Sequence, residues 1–136
     1  MVKGKGNKLP KTERLCSRYL IDKLFEVGSG SSVSAYPLRL VYRVADKPES
    51  GLHRGNDADA ILISVPKRYF KHAVDRNKVK RQVREAYRRN KSLISLPEGK
   101  VVHMAFIWLV GKYYATGVVE KKVCNLMQRM IEKVRQ

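Results

Sequence analysis

The chain has 136 residues, enough to bury one hydrophobic core and little more. Lys and Arg number 29 against 12 Asp and Glu, and a net charge of +17 destabilises a compact state by self-repulsion unless a polyanion, most commonly nucleic acid, cancels it. A membrane surface is the other candidate for a basic protein, and it is not the expected partner: no apolar run of about 18 residues exists, and the basic helix described below lacks a Trp/Phe/Leu insertion face.

Residues 1–13 are basic and contain glycine, and are expected to form a flexible N-terminal segment ahead of a single domain over residues 14–136. The start of the chain, MVKGKGNKLPKTERL, lacks the apolar centre of a signal peptide, and Cys16 and Cys124 form no CxxC pair, so a reduced, cytoplasmic protein is expected. A first helix is predicted from Ser17, as N-cap, to Val27, with Gly28 as its stop and Leu20, Ile21, Leu24 and Phe25 at helical spacing. GSGSS, residues 28–32, reads as a loop without a phosphate-cradle pattern, with room for an extra short strand near residues 28–33.

From Pro37 the period becomes two. Leu38, Leu40, Tyr42 and Val44 share one face of a predicted strand, and Arg39, Val41 and Arg43 share the other, partly cationic face. Residues 46–59 are rich in turn formers and read as a long hairpin loop, AILISV (60–65) as a short buried strand ended by Pro66. Residues 75–91, DRNKVKRQVREAYRRNK, form an amphipathic helix in which Val79, Val83, Ala86 and Tyr87 gather in one apolar arc. After a turn at LPEGK (96–100), residues 101–110 read as a strand buried on both faces, and residues 117–136 as a closing helix with Val119, Val123, Leu126, Met127, Met130 and Val134 facing inward. The predicted order is α-β-β-α-β-α, an α/β sandwich.

The polar side of the 75–91 helix carries almost nothing but positive charge. Asn77, Lys80, Arg81, Arg84, Arg88 and Lys91 fill an arc beside the apolar one, and Glu85 falls outside it. A helix face built for water mixes signs, because like charges at i,i+4 spacing weaken it. Between residues 67 and 91 there are eleven basic residues and two acids, whereas a third of all acids lie between residues 45 and 59, so the molecule is polarised. Lys67, Arg68 and Lys71 extend the positive surface, and Tyr19, Phe25, Tyr36 and Tyr42 offer either stacking planes for unpaired bases or core packing.

Catalytic constellations are missing from the pattern. His53, His72 and His103 lie at no metal-ligand spacing, and Asn56, Asp57 and Asp59 read as a hydrophilic loop rather than a two-metal site. The two cysteines sit on presumed helices as small hydrophobes. The sequence thus offers an anion-binding surface whose chemistry must come from elsewhere.

The run SVPKRYFKHAVDRNKVKRQVREAY, residues 64–87, resembles the signature of the bacterial ribonuclease P protein component, an S-V-x-K/R-K/R stretch followed by an R-N-x-x-K-R-x-x-R-E helix. Arg76, Asn77, Lys80, Arg81, Arg84 and Glu85 occupy every position of that helix motif, while Arg14, Leu15 and IDKLF (21–25) look like the family's amino-terminal segment. The resemblance spans roughly residues 14–134. It implies an α/β sandwich similar to a domain of a small-subunit ribosomal protein, with a left-handed βαβ crossover through the basic helix. It also implies a partner, the catalytic ribonuclease P RNA, which with bound Mg²⁺ removes the 5′ leader of precursor tRNA, the protein itself binding no metal alone. Arg76, Asn77, Lys80, Arg81, Arg84 and, beyond the motif, Arg88 would dock on that RNA. A leader cleft would involve Ile21, Phe25 and either Val41 or Tyr42, with Lys67 and Arg68 nearby. Ile21 stands where the family usually has Phe, which replaces one stacking plane by apolar packing. A structural RNA-binding protein of ribosomal type would share fold and charge and differ in the helix motif, and neither DNA nor membrane is an expected partner.

Overall fold

The computed structural model describes residues 18–25, 31–46, 59–96 and 98–135, with the backbone alone for residues 18–20. The elements are α1 (Arg18–Phe25), β1 (Ser31–Ala35), β2 (Leu38–Asp46), β3 (Ala60–Ser64), α2 (Ala73–Asn90), β4 (Lys100–Trp108) and α3 (Thr116–Val134), with a 3₁₀ turn at Lys91–Leu93. The four strands form one sheet in the order β1-β2-β4-β3. Neighbours are antiparallel except β3 and β4, which are parallel and joined through α2.

Two faces follow from the period of two. Leu38, Leu40 and Tyr42 of β2, with Val102, Met104, Phe106 and Trp108 of β4, point into the main core beneath α2 and α3. Val41, Ala60 and Ala105 point to the reverse face, where Leu24 of α1 covers them with Ile21, Leu62 and Ile107 alongside. β4 lies between β2 and β3 with helices on both sides, which is why its sequence is apolar without alternation. On α3, Val119, Val123, Leu126, Met127 and Met130 are buried as the helical spacing predicts, while Val134 packs only partly. Cys124 is a free, half-buried thiol on the same helix, its pKa pushed up by burial and by the Glu120 carboxylate.

Three readings change. The extra strand exists as β1, so Ser31 and Ser32 belong to a ladder with Tyr42 and Val41 rather than to a loop. β2 and β3 do not form the expected hairpin, because β4 lies between them in the sheet. Helix α2 begins at Ala73, where the His72 carbonyl accepts from the N–H groups of Asp75 and Arg76. The N-terminal segment, Cys16, the Ser17 cap, the Gly28 stop, His53 and most of the acidic 46–59 stretch lie outside the described residues.

Candidate nucleic-acid interface

Helix α2 sits where it does because one stripe is apolar and the rest is not. Val79, Val83, Ala86 and Tyr87 are buried, and Asp75 in the first turn and Arg88 and Arg89 in the last complement the helix dipole. One flank is held by α3: the Gln82 amide donates to the Tyr114 carbonyl (3.1 Å) and to Thr116 Oγ1 (3.2 Å), and Arg89 reaches Glu120 at 3.5 Å. Asn90 donates to the Ala86 carbonyl and to Glu120. The basic arc occupies the opposite flank. Since α3 packs on β1 and β2 and α2 on β3, that flank looks out past the β3 edge of the sheet.

The arc is not uniform. Asn77 and Arg81 are exposed and Lys80 half-buried, and none of the three makes a hydrogen bond or ion pair among the described residues. Arg76, named by the family motif and not by the arc, is turned back, its guanidinium donating to the carbonyls of Phe70 (2.8 Å) and Lys71 (3.0 Å), which fastens the chain entering the helix. Arg84 is half-buried and also has a protein contact. Arg88 grips Glu85 through both carboxylate oxygens, and Arg89 joins from the next position at 3.2 Å. Those bonds hold the Glu85 carboxyl below its ordinary range, the Arg88 hydrogen bond being the larger cause, and raise Arg88 in return. The outward, unclaimed part of the arc is therefore Asn77, Lys80 and Arg81. Charge pattern alone could not show that Arg76 and Arg88 are partly committed within the protein.

On the reverse face a shallow cleft of about 330 Å³ opens between α1 and the sheet, lined by Leu24, Phe25, Ser31, Ser32, Arg39, Val41 and Ile107. Phe25 is 47% exposed, so its ring is available at the rim, and Leu24 and Val41 form an apolar floor. Arg39 supplies the positive charge, its guanidinium 3.5 Å from Ser32 Oγ. Of the two strand residues left open by the sequence, Val41 lines the cleft. Tyr42 does not: it points through the sheet into the main core and is 5% exposed, because adjacent residues of a strand face opposite ways. Ile21 packs partly buried beside the floor and is not among the lining residues. Lys67 and Arg68 are exposed on the turn after β3, likewise outside the lining, and Arg68 lies over the Tyr69 ring at 4.9 Å. Arg39, Ser31 and Ser32 were missed as cleft residues, although the alternation of β2 had already put Arg39 on the face of Val41.

Among the described residues no three His, Cys, Asp or Glu side chains gather where they could hold a metal ion. His103 is buried on the α1 face of β4, as a sheet-face residue should be. What the surface can do is bind: phosphates along α2, and an extended strand of apolar and anionic character in the cleft.

Known proteins bear on this geometry. The Ribonuclease P family model matches residues 9–133. Ribonuclease P protein components from two strains of Porphyromonas gingivalis are 46% identical over 87 residues, 64% of this chain and 58% of theirs, so the match spans little more than half of those relatives. The ribonuclease P protein component of Chlorobium phaeobacteroides is 36% identical over 134 residues, 91% of this chain and 88% of its own. A solved structure of the RNase P protein from Thermotoga maritima, in complex with 1-(4-fluorophenyl)-2-thiourea, superposes with a TM-score of 0.56 at 26% identity, covering 84% of this chain and 98% of that one. With the family model over most of its length and a relative 36% identical over 134 residues, this chain belongs to the Ribonuclease P family.

Proposed function

We propose that this chain is the protein subunit of a ribonuclease P holoenzyme, binding the ribonuclease P RNA and the 5′ leader of precursor tRNA so that the leader is removed by endonucleolytic cleavage. The observation that carries the reading is the unclaimed cationic flank of α2, which displays Asn77, Lys80 and Arg81 on a helix fixed to the core by Val79, Val83 and Tyr87. Arg and Lys on a rigid helix neutralise phosphates without reading sequence, as a subunit serving many precursor tRNAs requires. The cleft suits a single strand: the Phe25 ring offers a π-face to a base and Arg39 a charge to its phosphate, both tolerant of sequence. Hydrolysis is assigned to the RNA, whose Mg²⁺ would activate the attacking water and stabilise the leaving oxygen. This chain's residues then position the RNA and leader. A cytoplasmic location belongs to the same reading, and no described helix is long and apolar enough to cross a membrane.

Reconstitution tests it. The full chain is mixed with a bacterial ribonuclease P RNA and a precursor tRNA at low Mg²⁺, where the RNA alone cleaves poorly. Faster leader removal with both components is expected. RNA binding without faster cleavage would favour a ribosomal-type structural role, and cleavage by the protein alone would favour an autonomous nuclease.

A further inference from the structure

β3 and β4 are parallel, so the segments leaving them emerge at the same end of the sheet. There the turn after β3 and the connection from β4 to α3 are in close contact: a Cβ on Gly111 would lie 3.1 Å from the Tyr69 carbonyl oxygen. Phe70 from the first segment stacks on Tyr113 from the second, with centroids 5.1 Å apart and planes 29° from parallel. The Lys78 ammonium lies 4.6 Å from the Tyr113 centroid, and Lys112 lies 5.6 Å from that of Tyr114. Tyr113 is nonetheless 41% exposed. Its hydroxyl donates to Asp75, the one acid in residues 66–78 and 109–115, against six basic residues.

A partly exposed aromatic ring beside an ammonium, in segments that hold six basic residues and one acid, is only partly explained by its packing on Phe70. The apolar surface gains nothing by remaining in water, and the cations repel one another. Both costs fall if an unpaired base stacks on the ring while its phosphates meet the lysines. The ring is also pre-positioned: Phe70 and the Asp75 bond fix its plane, and Gln82 ties the connection to α2. We propose that Tyr113, with Lys78 and Lys112, forms a second single-stranded RNA contact, a stacking platform at the C-terminal end of the β3–β4 pair, separate from the cleft beneath α1. The inference rests on the RNA-binding reading above but not on which RNA the protein serves.

Two measurements test it on the full chain. First, a decaribonucleotide carrying 5-iodouridine is photocrosslinked and the modified peptides are sequenced. Tyr113 is expected among the crosslinked residues, and crosslinks confined to Phe25 and α2 would overturn the platform. Second, Tyr113→Leu and Tyr113→Phe are titrated with ribonuclease P RNA. The Leu variant is expected to bind roughly five- to tenfold more weakly with an unchanged salt slope, and the Phe variant to bind like the parent. A Leu variant of parental affinity, or a Phe variant as weak as Leu, overturns the proposal, since the second result would put the effect in the Asp75 bond rather than the π-face. Should ribonuclease P RNA fail to bind while the decamer crosslinks at Tyr113, the platform stands and the ribonuclease P reading falls.

Discussion

Arg81→Ala isolates what the cationic flank contributes. Arg81 is exposed near the middle of α2 and is engaged by nothing among the described residues, so its removal takes no bond from the fold. Alanine is the stronger helix former, and unfolding free energy is expected to change by no more than about 0.5 kcal/mol. Binding is another matter. Each phosphate contact contributes about 0.7 to 0.9 to the slope of log affinity against log salt. Measured against a 1 M reference, at which that contribution vanishes, one contact amounts to about four- to sixfold at ~0.15 M salt and about eight- to fifteenfold at ~0.05 M. Filter binding of labelled ribonuclease P RNA over that salt range reads both quantities. The variant line must be shallower and converge on the parent at high salt. Two parallel lines, with the fold intact by circular dichroism, would mean that Arg81 meets no phosphate.

Arg76→Ala is expected to behave differently, losing about 1–2 kcal/mol of stability in denaturant titration because the Phe70 and Lys71 carbonyls lose a charged donor. Glu85→Gln removes the charge that orients Arg88 and Arg89. Because Glu85 titrates below its ordinary range when folded, its contribution is present above the unfolded pKa and disappears as pH falls through the folded one. The parent–variant stability gap, about 0.5 kcal/mol at pH ~7, must therefore close on acidification, and a gap independent of pH in urea unfolding would rule the ion pair out as its source. Phe25→Ala, at a ring already half in water, is expected to leave stability nearly unchanged. It should weaken binding of precursor tRNA roughly fivefold without affecting mature tRNA, a difference read by competition titration.

The parts of this molecule legible in its sequence are those governed by local period. The apolar stripe of α2, the alternation along β2 and the unbroken apolar run of β4 each need only their own residues to declare themselves. β1 was legible only as an optional extra strand near residues 28–33, because SSVSA buries Val33 alone and its strand character comes from pairing with β2. Strand order escaped for a related reason: consecutive strands usually pair, and only the joint demands of β4 for two neighbours and two covered faces place it between β2 and β3. The Val41–Tyr42 choice turned on which helix covers which face, and both faces of β2 are covered. Arg88 sits on the predicted arc by angle and Arg76 in the family motif, but a guanidinium follows its hydrogen bonds, and Glu85 and the Phe70 carbonyl lay within reach. The Tyr113 cluster joins residues 38 positions apart through the parallel strand pair, a relation no window of sequence contains.

The placement of the arc gives the charge a second consequence. β3 is an edge strand among the described residues, and AILIS is short, apolar and β-branched, the kind of segment that pairs with another copy when its edge is left open. The flank of α2 that carries Asn77, Lys80 and Arg81 looks out beside that edge, so two copies approaching edge to edge would bring their arcs together. The same repulsion is expected to oppose edge-to-edge pairing of two copies. Salt separates the two effects, since a Debye length of about 10 Å at 0.1 M shrinks to about 3 Å at 1 M. Without RNA, light scattering should show a monomer at low salt and growing association as salt rises, with Lys80→Glu/Arg81→Glu associating at lower salt than the parent. A parent that stays monomeric at 1 M salt, or a doubly substituted chain no more prone to associate, would show that the edge is protected by something other than charge.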